Sequence, residues 1–486
     1  MPGGGMPAAA APHRLDDRPR GQPGHLCAGR AGQHRRPLPD EREKGGPAML
    51  NAPHPDERLH NPLAPIGRPD NRFPDPHIKI FVNPDTGNEA MYVYVGHDEG
   101  VNQFIMKDWY VMWSEDLVHW KWKRALRRED TYLPDDSVNC WACDCVQSPW
   151  DGKYYLYYSN AGDDTGVAVS DRPDGPFVDA RGKTPILPKG ITPTNSYDPD
   201  IILPDEDDPN AYILFGSDWT DHYWAMQLKE NMIEVVPGTA RKVPVYPADG
   251  TPEELLGVLR SDQAEVFRHG DTWYMYWAGR YSTSKHRLGP YIFHSDLGKE
   301  IPHYPDGRCF IDHGSFLEWK GQWFYAVSHG TESWSYRQSW LLYLHFCDDG
   351  TLMIDETIRR CGVGSYFAGW DRIEAEWYMS IPEGVQKVEL KNADGSHAGF
   401  AIAQESGTND ASYPHVYDIR TGSKMTLHAK GCGSIEVLAD GKSLGAAAVD
   451  SAEFADVQVA LGGLAGEHDI TLRMTGKITL DWFTLK

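Results

Sequence analysis

The chain has 486 residues, 12% of them aromatic, and a formal net charge of −23. That length exceeds the roughly 250 to 300 residues that one hydrophobic core ordinarily fills, so two domains are expected. The acidic balance excludes a nucleic-acid surface, which needs clustered Lys and Arg, and no apolar run approaches the roughly 20 residues of a membrane-spanning helix.

Residues 1–48 are rich in Pro, Gly, Ala and Arg, show no hydrophobic periodicity, and carry eight basic against five acidic side chains. Such a segment cannot bury enough apolar surface to order itself and reads as a disordered tail. It lacks the apolar stretch of a signal peptide, which makes the cytoplasm the expected location. A second reading starts from Lys44-Gly45-Gly46-Pro47-Ala48-Met49. Lys-Gly-Gly is a possible translation of a ribosome-binding sequence, so that Met49 is the true start.

From residue 78 to about 350 one pattern recurs: a Gly or Asp turn, an aromatic-rich strand, then a second strand. The aromatic strands are Met91–Tyr94, Tyr154–Tyr158, Tyr212–Phe215, Trp273–Trp277 and Trp323–Val327, with starts about 50 to 63 residues apart. Turns such as Asp151-Gly152, His269-Gly270 and Lys320-Gly321 precede them, as hairpins require. Five small antiparallel sheets at such a period predict a five-bladed β-propeller over residues 49–360. Within it, Cys140, Cys143 and Cys145 have no zinc-ligand spacing and read as buried thiols along one strand. From about Trp370 short alternating strands such as Lys387–Leu390 and Ser434–Leu438 predict a β-sandwich (jelly-roll) domain over residues 366–486, so the fold class is all-β throughout.

Three acidic residues stand at the edges of strands in three different repeats: Asp75 ahead of Ile78–Phe81, Asp198 ahead of Ile201–Leu203, and Glu265 in Ala264-Glu265-Val266-Phe267. A propeller brings the inner strands of its blades around one axis, so residues far apart in sequence meet at its end. Three carboxyls meeting there suit glycoside hydrolysis: one donates a proton to the leaving oxygen, one activates water, and a third tunes the first.

Residues 61 to 355 resemble glycoside hydrolase family 43 in motif order and spacing. Asn61-Pro62 and Asp75-Pro76 look like its opening motifs, Asp198-Pro199 like its middle one, and Glu265 like its general acid. The resemblance implies Asp75 as general base, Asp198 as the residue that orients the acid and raises its pKa, and Glu265 as acid. Trp141-Ala142-Cys143-Asp144 looks like Trp-Ala-Pro-Asp, with Cys143 in place of Pro, and implies that Trp141 lines the sugar pocket together with Tyr197. Arg337 resembles an Arg that bonds the innermost sugar. His313-Gly314-Ser315 resembles a His-Gly-Ser motif whose His lies on the propeller axis and binds calcium, directly or through water. The C-terminal part resembles a family 6 carbohydrate-binding module, which implies a structural calcium at Glu374, Glu376 and Asp481. No cofactor is implied for the chemistry.

The function implied is an exo-acting, inverting release of terminal pentoses from hemicellulose oligosaccharides, by a β-D-xylosidase or α-L-arabinofuranosidase. The substrate partner is an oligosaccharide, without nucleic acid or membrane; the oligomeric state is not legible in the chain. The rivals are a non-catalytic glycan-binding propeller and a related propeller glycosidase acting on galactosides or fructans.

Overall fold

A computed structural model describes residues 58–486 except 62, 64–71, 101–102, 217–221, 256–262, 298–310, 331–336, 356 and 360. The tail expected at 1–48 and the alternative start at Met49 lie outside the described residues.

Five antiparallel sheets follow one another along the chain. Blade 1 comprises His77–Val82, Glu89–Val95, Asp108–Ser114 and Lys121–Arg127, and blade 2 Cys140–Gln147, Tyr154–Asn160, Asp164–Ser170 and Val178–Asp179. Blade 3 holds Asp200–Ile202, Ala211–Phe215, Tyr223–Leu228 and Arg241–Val243. Blade 4 holds Glu265–His269, Thr272–Trp277, Arg280–Ser284 and Tyr291–Asp296, and it gains a parallel strand, Val245–Tyr246, on its outer edge. Blade 5 holds Ile311–Trp319, Gln322–Gly330, Arg337–Phe346 and Leu352–Ile354. Each of the five aromatic runs forms the second strand of a blade, because aromatic and β-branched side chains pack well on a pleated surface. The hairpin inside blade 4 closes at Gly270, whose φ of 56° suits glycine.

An apolar layer fills each junction between blades. Tyr94, Trp109, Leu156 and Tyr158 join blades 1 and 2, Tyr157, Val167, Ile213 and Phe215 join blades 2 and 3, and Leu214, Ala225, Met275 and Trp277 join blades 3 and 4. Phe267, Tyr276, Phe316 and Tyr325 join blades 4 and 5. At roughly 1.5 to 3 kcal/mol for each fully buried large side chain, these layers are the main cohesive term between sheets. The ring is secured by the segment ahead of blade 1. The Asn61 amide donates to the carbonyls of Leu341 and Arg359 at 2.8 Å, and Leu63 N–H donates to Ser339 O at 2.8 Å.

The C-terminal region is a second all-β assembly built on long strands, Thr408–Ile419, Lys424–Ala439, Lys442–Ala460 and Gly466–Leu485. The last of these pairs with the first two and with His397–Gln404. Its core is continuous with the junction of blades 5 and 1: Ile78, Val93, Phe324 and Leu341 belong to the same buried cluster as Trp377, Tyr413, Leu427 and Phe483. Gln322 reinforces that union, its amide N–H donating to the carbonyls of Glu376 and Tyr378 at 2.8 Å.

Candidate active site

The innermost strands of the five blades are joined around the axis by a repeated hydrogen bond. Asp144 in blade 2 accepts from Ile201 N–H of blade 3 at 2.9 Å. Asp200 in blade 3 accepts from Val266 N–H of blade 4 at 3.0 Å. Glu265 in blade 4 accepts from Phe316 N–H of blade 5 at 2.8 Å, and Ser315 in blade 5 accepts from Ile78 N–H of blade 1 at 3.0 Å. Asp144, Asp200, Glu265 and Ser315 are thus equivalent positions, and His77 fills the corresponding place in blade 1. Edge backbone donors that would otherwise stay unpaired at the axis are satisfied in this way.

Two residues ahead of each of these positions stand Asp75, Ala142, Asp198, Gln263 and His313, all buried. Here two of the predicted carboxylates meet: His313 Nε2 lies 3.9 Å from Asp75 Oδ1 and 3.6 Å from Asp198 Oδ2. Asp75 and Asp198 both hold left-handed backbone, with φ of 59° and 52°. For a non-glycine residue that conformation costs on the order of 1 to 3 kcal/mol and tends to persist at functional sites. Ser159 fixes Asp198, its hydroxyl oxygen accepting from Asp198 N–H at 2.8 Å. Arg337 reaches Asp75 Oδ1 at 2.7 Å through Nη1, and its Nε and Nη2 grip Asp98 at 3.1 Å each. A bidentate guanidinium pair of this kind sets direction as well as charge. Gly314 is required beside His313, because a Cβ there would lie 2.5 Å from the Tyr276 ring and 2.8 Å from the Tyr325 ring.

Glu265, the third of the predicted carboxyls, has a different set of partners. Its Oε1 accepts from Phe316 N–H and, at 3.0 Å, from the Ser315 hydroxyl, while Oε2 turns toward His77 Nδ1 at 3.9 Å. It belongs to the ring of inter-blade hydrogen bonds. Around it lie Lys79 Nζ, 3.0 Å from Asp144 Oδ1, and His77 Nδ1, 3.1 Å from the same oxygen. Burial, reinforced by the charge of Asp200, pushes Glu265 well above the usual carboxylate range. Burial and the neighbouring Asp144 push Asp200 up to about 7. Against its own burial, Asp144 is held below the usual range by Lys79 and His77. Lys79 supplies the positive charge that lets these acids share one interior.

Trp141 is half-buried, its ring centroid 5.7 Å from that of Phe104, and the Arg337 guanidinium lies over the other aromatic, 5.0 Å from the Phe104 centroid. Tyr197 is buried beside Asp198, and its carbonyl accepts from Gly216 N–H at 3.0 Å. Cys140, Cys143 and Cys145 are free of disulfides and buried on the inner strand of blade 2.

Of the residues named for calcium, Glu374 interacts electrostatically with both Glu376 and Asp481, and burial pushes all three above the usual carboxylate range, while Glu374 pairs with Arg372 Nε at 2.6 Å. His313 offers a nitrogen to an ion that takes oxygen ligands, and the Asp75 oxygen nearest to it is already held by Arg337.

Asp98, Phe104, Lys79, His77 and Gln263 escaped the sequence reading. Asp98 follows His97 just past the second strand of blade 1, and nothing in its local sequence marks it. Gln263 had a usable signal: it precedes Glu265 by two residues, as Asp198 precedes Asp200 and Asp75 precedes His77.

The family model described as glycosyl hydrolases family 43 matches residues 70–352, more than half of the chain. A xylosidase/arabinosidase of Bacteroides ovatus is 24% identical over 326 residues, covering 58% of this chain and 92% of that protein. Xylosidase/arabinosidase 43A of Humicola insolens is 31% identical over 179 residues, 33% of this chain and 48% of that one. Among solved structures, an arabinoxylan arabinofuranohydrolase from Bacillus subtilis superposes with a TM-score of 0.48 at 18% identity, covering 88% of this chain and 97% of its own. The chain belongs to glycosyl hydrolases family 43 and is a glycoside hydrolase.

Proposed function

We propose that this glycoside hydrolase removes terminal xylose or arabinose from hemicellulose oligosaccharides, with water as the nucleophile and inversion at the anomeric carbon. The observation that carries this reading is the pairing of two buried carboxylates, Asp75 and Asp198, about His313 at the propeller axis. Asp75, aimed by Arg337, takes the proton of the attacking water as its oxygen bonds to the anomeric carbon. The bond to the leaving oxygen breaks on the opposite face, and Glu265, whose burial raises it well above the usual carboxylate range, gives that oxygen its proton as it departs. Asp198 orients the acid side of the site. Trp141 and Phe104 give the sugar an aromatic wall. The pentose assignment follows the xylosidase/arabinosidase activity of the relatives from Bacteroides ovatus and Humicola insolens. Calcium has no part in the chemistry.

The C-terminal region fits the carbohydrate-binding-module resemblance mainly as a buttress, because its core is shared with blades 5 and 1. A strip of stacked rings, Phe454, His428 and Trp482, with centroids 5.3 and 4.7 Å apart, is its best candidate sugar-contacting feature.

The test is nitrophenol release from a panel of nitrophenyl pentosides and hexosides by the wild type, Asp75→Ala and Asp198→Ala. Turnover of a xyloside or arabinofuranoside, reduced at least about 100-fold in both variants, is the expected result. Turnover confined to a galactoside would overturn the pentose assignment. Sugar binding by calorimetry without any turnover would point to the glycan-binding rival.

A further inference from the structure

We propose that Cys347, Glu389 and His397 form a zinc site that staples blade 5 to the C-terminal strands, with a thiolate, a carboxylate oxygen and an imidazole nitrogen as ligands and water in the fourth position. The three residues come from separate elements. Cys347 opens the turn between Arg337–Phe346 and Leu352–Ile354 of blade 5, Glu389 lies in Gln386–Lys391, and His397 begins His397–Gln404, which pairs with that strand. Arg337, in the pocket, begins the strand that Cys347 follows, so roughly 30 Å of extended chain separates the two. The ion takes no part in the sugar chemistry.

The geometry is that of a site one ion can close. One donor atom from each residue lies within 4.8 Å of the other two. Cys347 Sγ is 3.8 Å from His397 Nδ1, and Nδ1 is 3.0 Å from Glu389 Oε1. With Zn–S near about 2.3 Å and Zn–N and Zn–O near about 2.0 to 2.2 Å, a tetrahedral ion holds its ligands about 3.3 to 3.6 Å apart. Shifts of about 0.3 Å therefore bring the set to coordination distance. A histidine–carboxylate hydrogen bond accounts for the shorter distance alone, but it does not call for a thiol arriving from another sheet. Among the described residues four groups of His, Cys, Asp or Glu converge this closely, and this is the one that includes a thiol. Thiolate, imidazole and carboxylate together suit zinc, whereas calcium and magnesium take oxygen ligands.

The surroundings hold the donors in place, as the outer partners of a metal site do. Cys347 N–H donates to Thr351 O at 2.8 Å and Gly350 N–H to Cys347 O at 2.9 Å, which closes the turn. The second Glu389 oxygen, Oε2, accepts from Asp348 N–H at 2.9 Å and so turns Oε1 toward the site. Lys391 Nζ stands on the Oε2 side, 3.5 Å from that oxygen and 2.5 Å from Asp348 Oδ2. The His397 imidazole packs on Phe400 with centroids 4.9 Å apart, and 32% of its side chain is exposed, which admits water to the fourth position. On binding, the Cys347 thiol proton passes to solvent and the imidazole proton moves from Nδ1 to Nε2, so one proton leaves for each ion bound.

The experiment titrates the full chain, freed of metal by EDTA and dialysis, with Co²⁺ and then Zn²⁺, in the wild type, Cys347→Ser, His397→Gln and, as a control for another exposed thiol, Cys432→Ser. The wild type and Cys432→Ser are expected to develop a thiolate-to-cobalt charge-transfer band that zinc bleaches. Cys347→Ser is expected to lose the band, and His397→Gln to weaken zinc binding at least about 100-fold. Zinc is also expected to raise the wild-type melting temperature by about 2 °C or more, reversibly with EDTA, and to leave that of Cys347→Ser unchanged. No band in the wild type, a band that survives Cys347→Ser, or zinc affinity unchanged in His397→Gln would overturn the site. A wild-type melting temperature indifferent to bound zinc would overturn the staple. Should Cys347→Ser fail to fold, His397→Gln, altered at a partly exposed side chain, decides alone. None of these readouts uses turnover, so the inference stands or falls apart from the pentosidase reading.

Discussion

At the scale of single residues, Arg337 carries the greatest electrostatic burden in the pocket. It is the shared partner of Asp75 and Asp98, all three buried. Removing it leaves two carboxylates in a low-dielectric interior without their cation, a change that costs about 3 to 5 kcal/mol when a buried pair is broken. Arg337→Ala is therefore expected to lose about 3 kcal/mol in chemical denaturation and at least about 100-fold in kcat/KM. A variant with wild-type stability and activity would show that the triad contributes nothing. Much of this arrangement was legible in the sequence, because Asp75, Asp198, His313 and Arg337 sit in short motifs beside strands. What the sequence could not convey was the partnering around the axis. Glu265 opens the first strand of blade 4, but only the hydrogen bond from Phe316 N–H shows that it also ties blade 4 to blade 5. Asp98 was illegible for another reason: its role depends wholly on a partner 239 positions away.

At the scale of elements, the turn between the third and fourth strands of blade 1 meets an irregular stretch of Thr408–Ile419. His415 Nε2 lies 3.6 Å from Asp116 Oδ2 and its Nδ1 lies 3.0 Å from Glu467 Oε1, while Arg58 closes the group onto Glu467. The contact with Asp116 raises His415 from 6.5 to about 9, with Glu467 adding to it against partial burial. A histidine whose folded pKa is raised contributes stability fully below its unfolded value, and that stability is lost as pH rises through the folded value. With partial exposure the gain is about 1 to 2 kcal/mol. The melting-temperature gap between wild type and His415→Gln is thus expected to be widest near about pH 6 and to close by about pH 10. A gap that grows with pH would reverse the sign and contradict the assignment. The blade elements themselves were readable, since all five aromatic runs became second strands. The added parallel strand Val245–Tyr246 was not, because two residues leave no periodicity to detect.

At the scale of the whole molecule, the propeller and the C-terminal strands share one apolar cluster, a union that composition and strand pattern could not announce. Gln322 is completely buried and bridges the two parts: it donates to Glu376 and Tyr378 carbonyls and accepts from Lys387 Nζ at 2.7 Å. Gln322→Ala removes that donor from the Glu376 and Tyr378 carbonyls, while Lys387 keeps Leu344 O and His345 Nδ1, and a loss of about 2 kcal/mol or more is expected. The wild type is expected to unfold in one calorimetric transition, whereas two well-separated transitions would mean that the parts are energetically independent. The central claim concerns the chemistry at the axis: water activated by Asp75 attacks the anomeric carbon directly. It is tested most directly by proton NMR of the anomeric signal during the first minutes of hydrolysis of a β-xyloside or α-arabinofuranoside, before the free sugar mutarotates. The account predicts that the first-formed pentose has the opposite anomeric configuration to the substrate. Retention of configuration would mean a covalent sugar–enzyme intermediate and would contradict it.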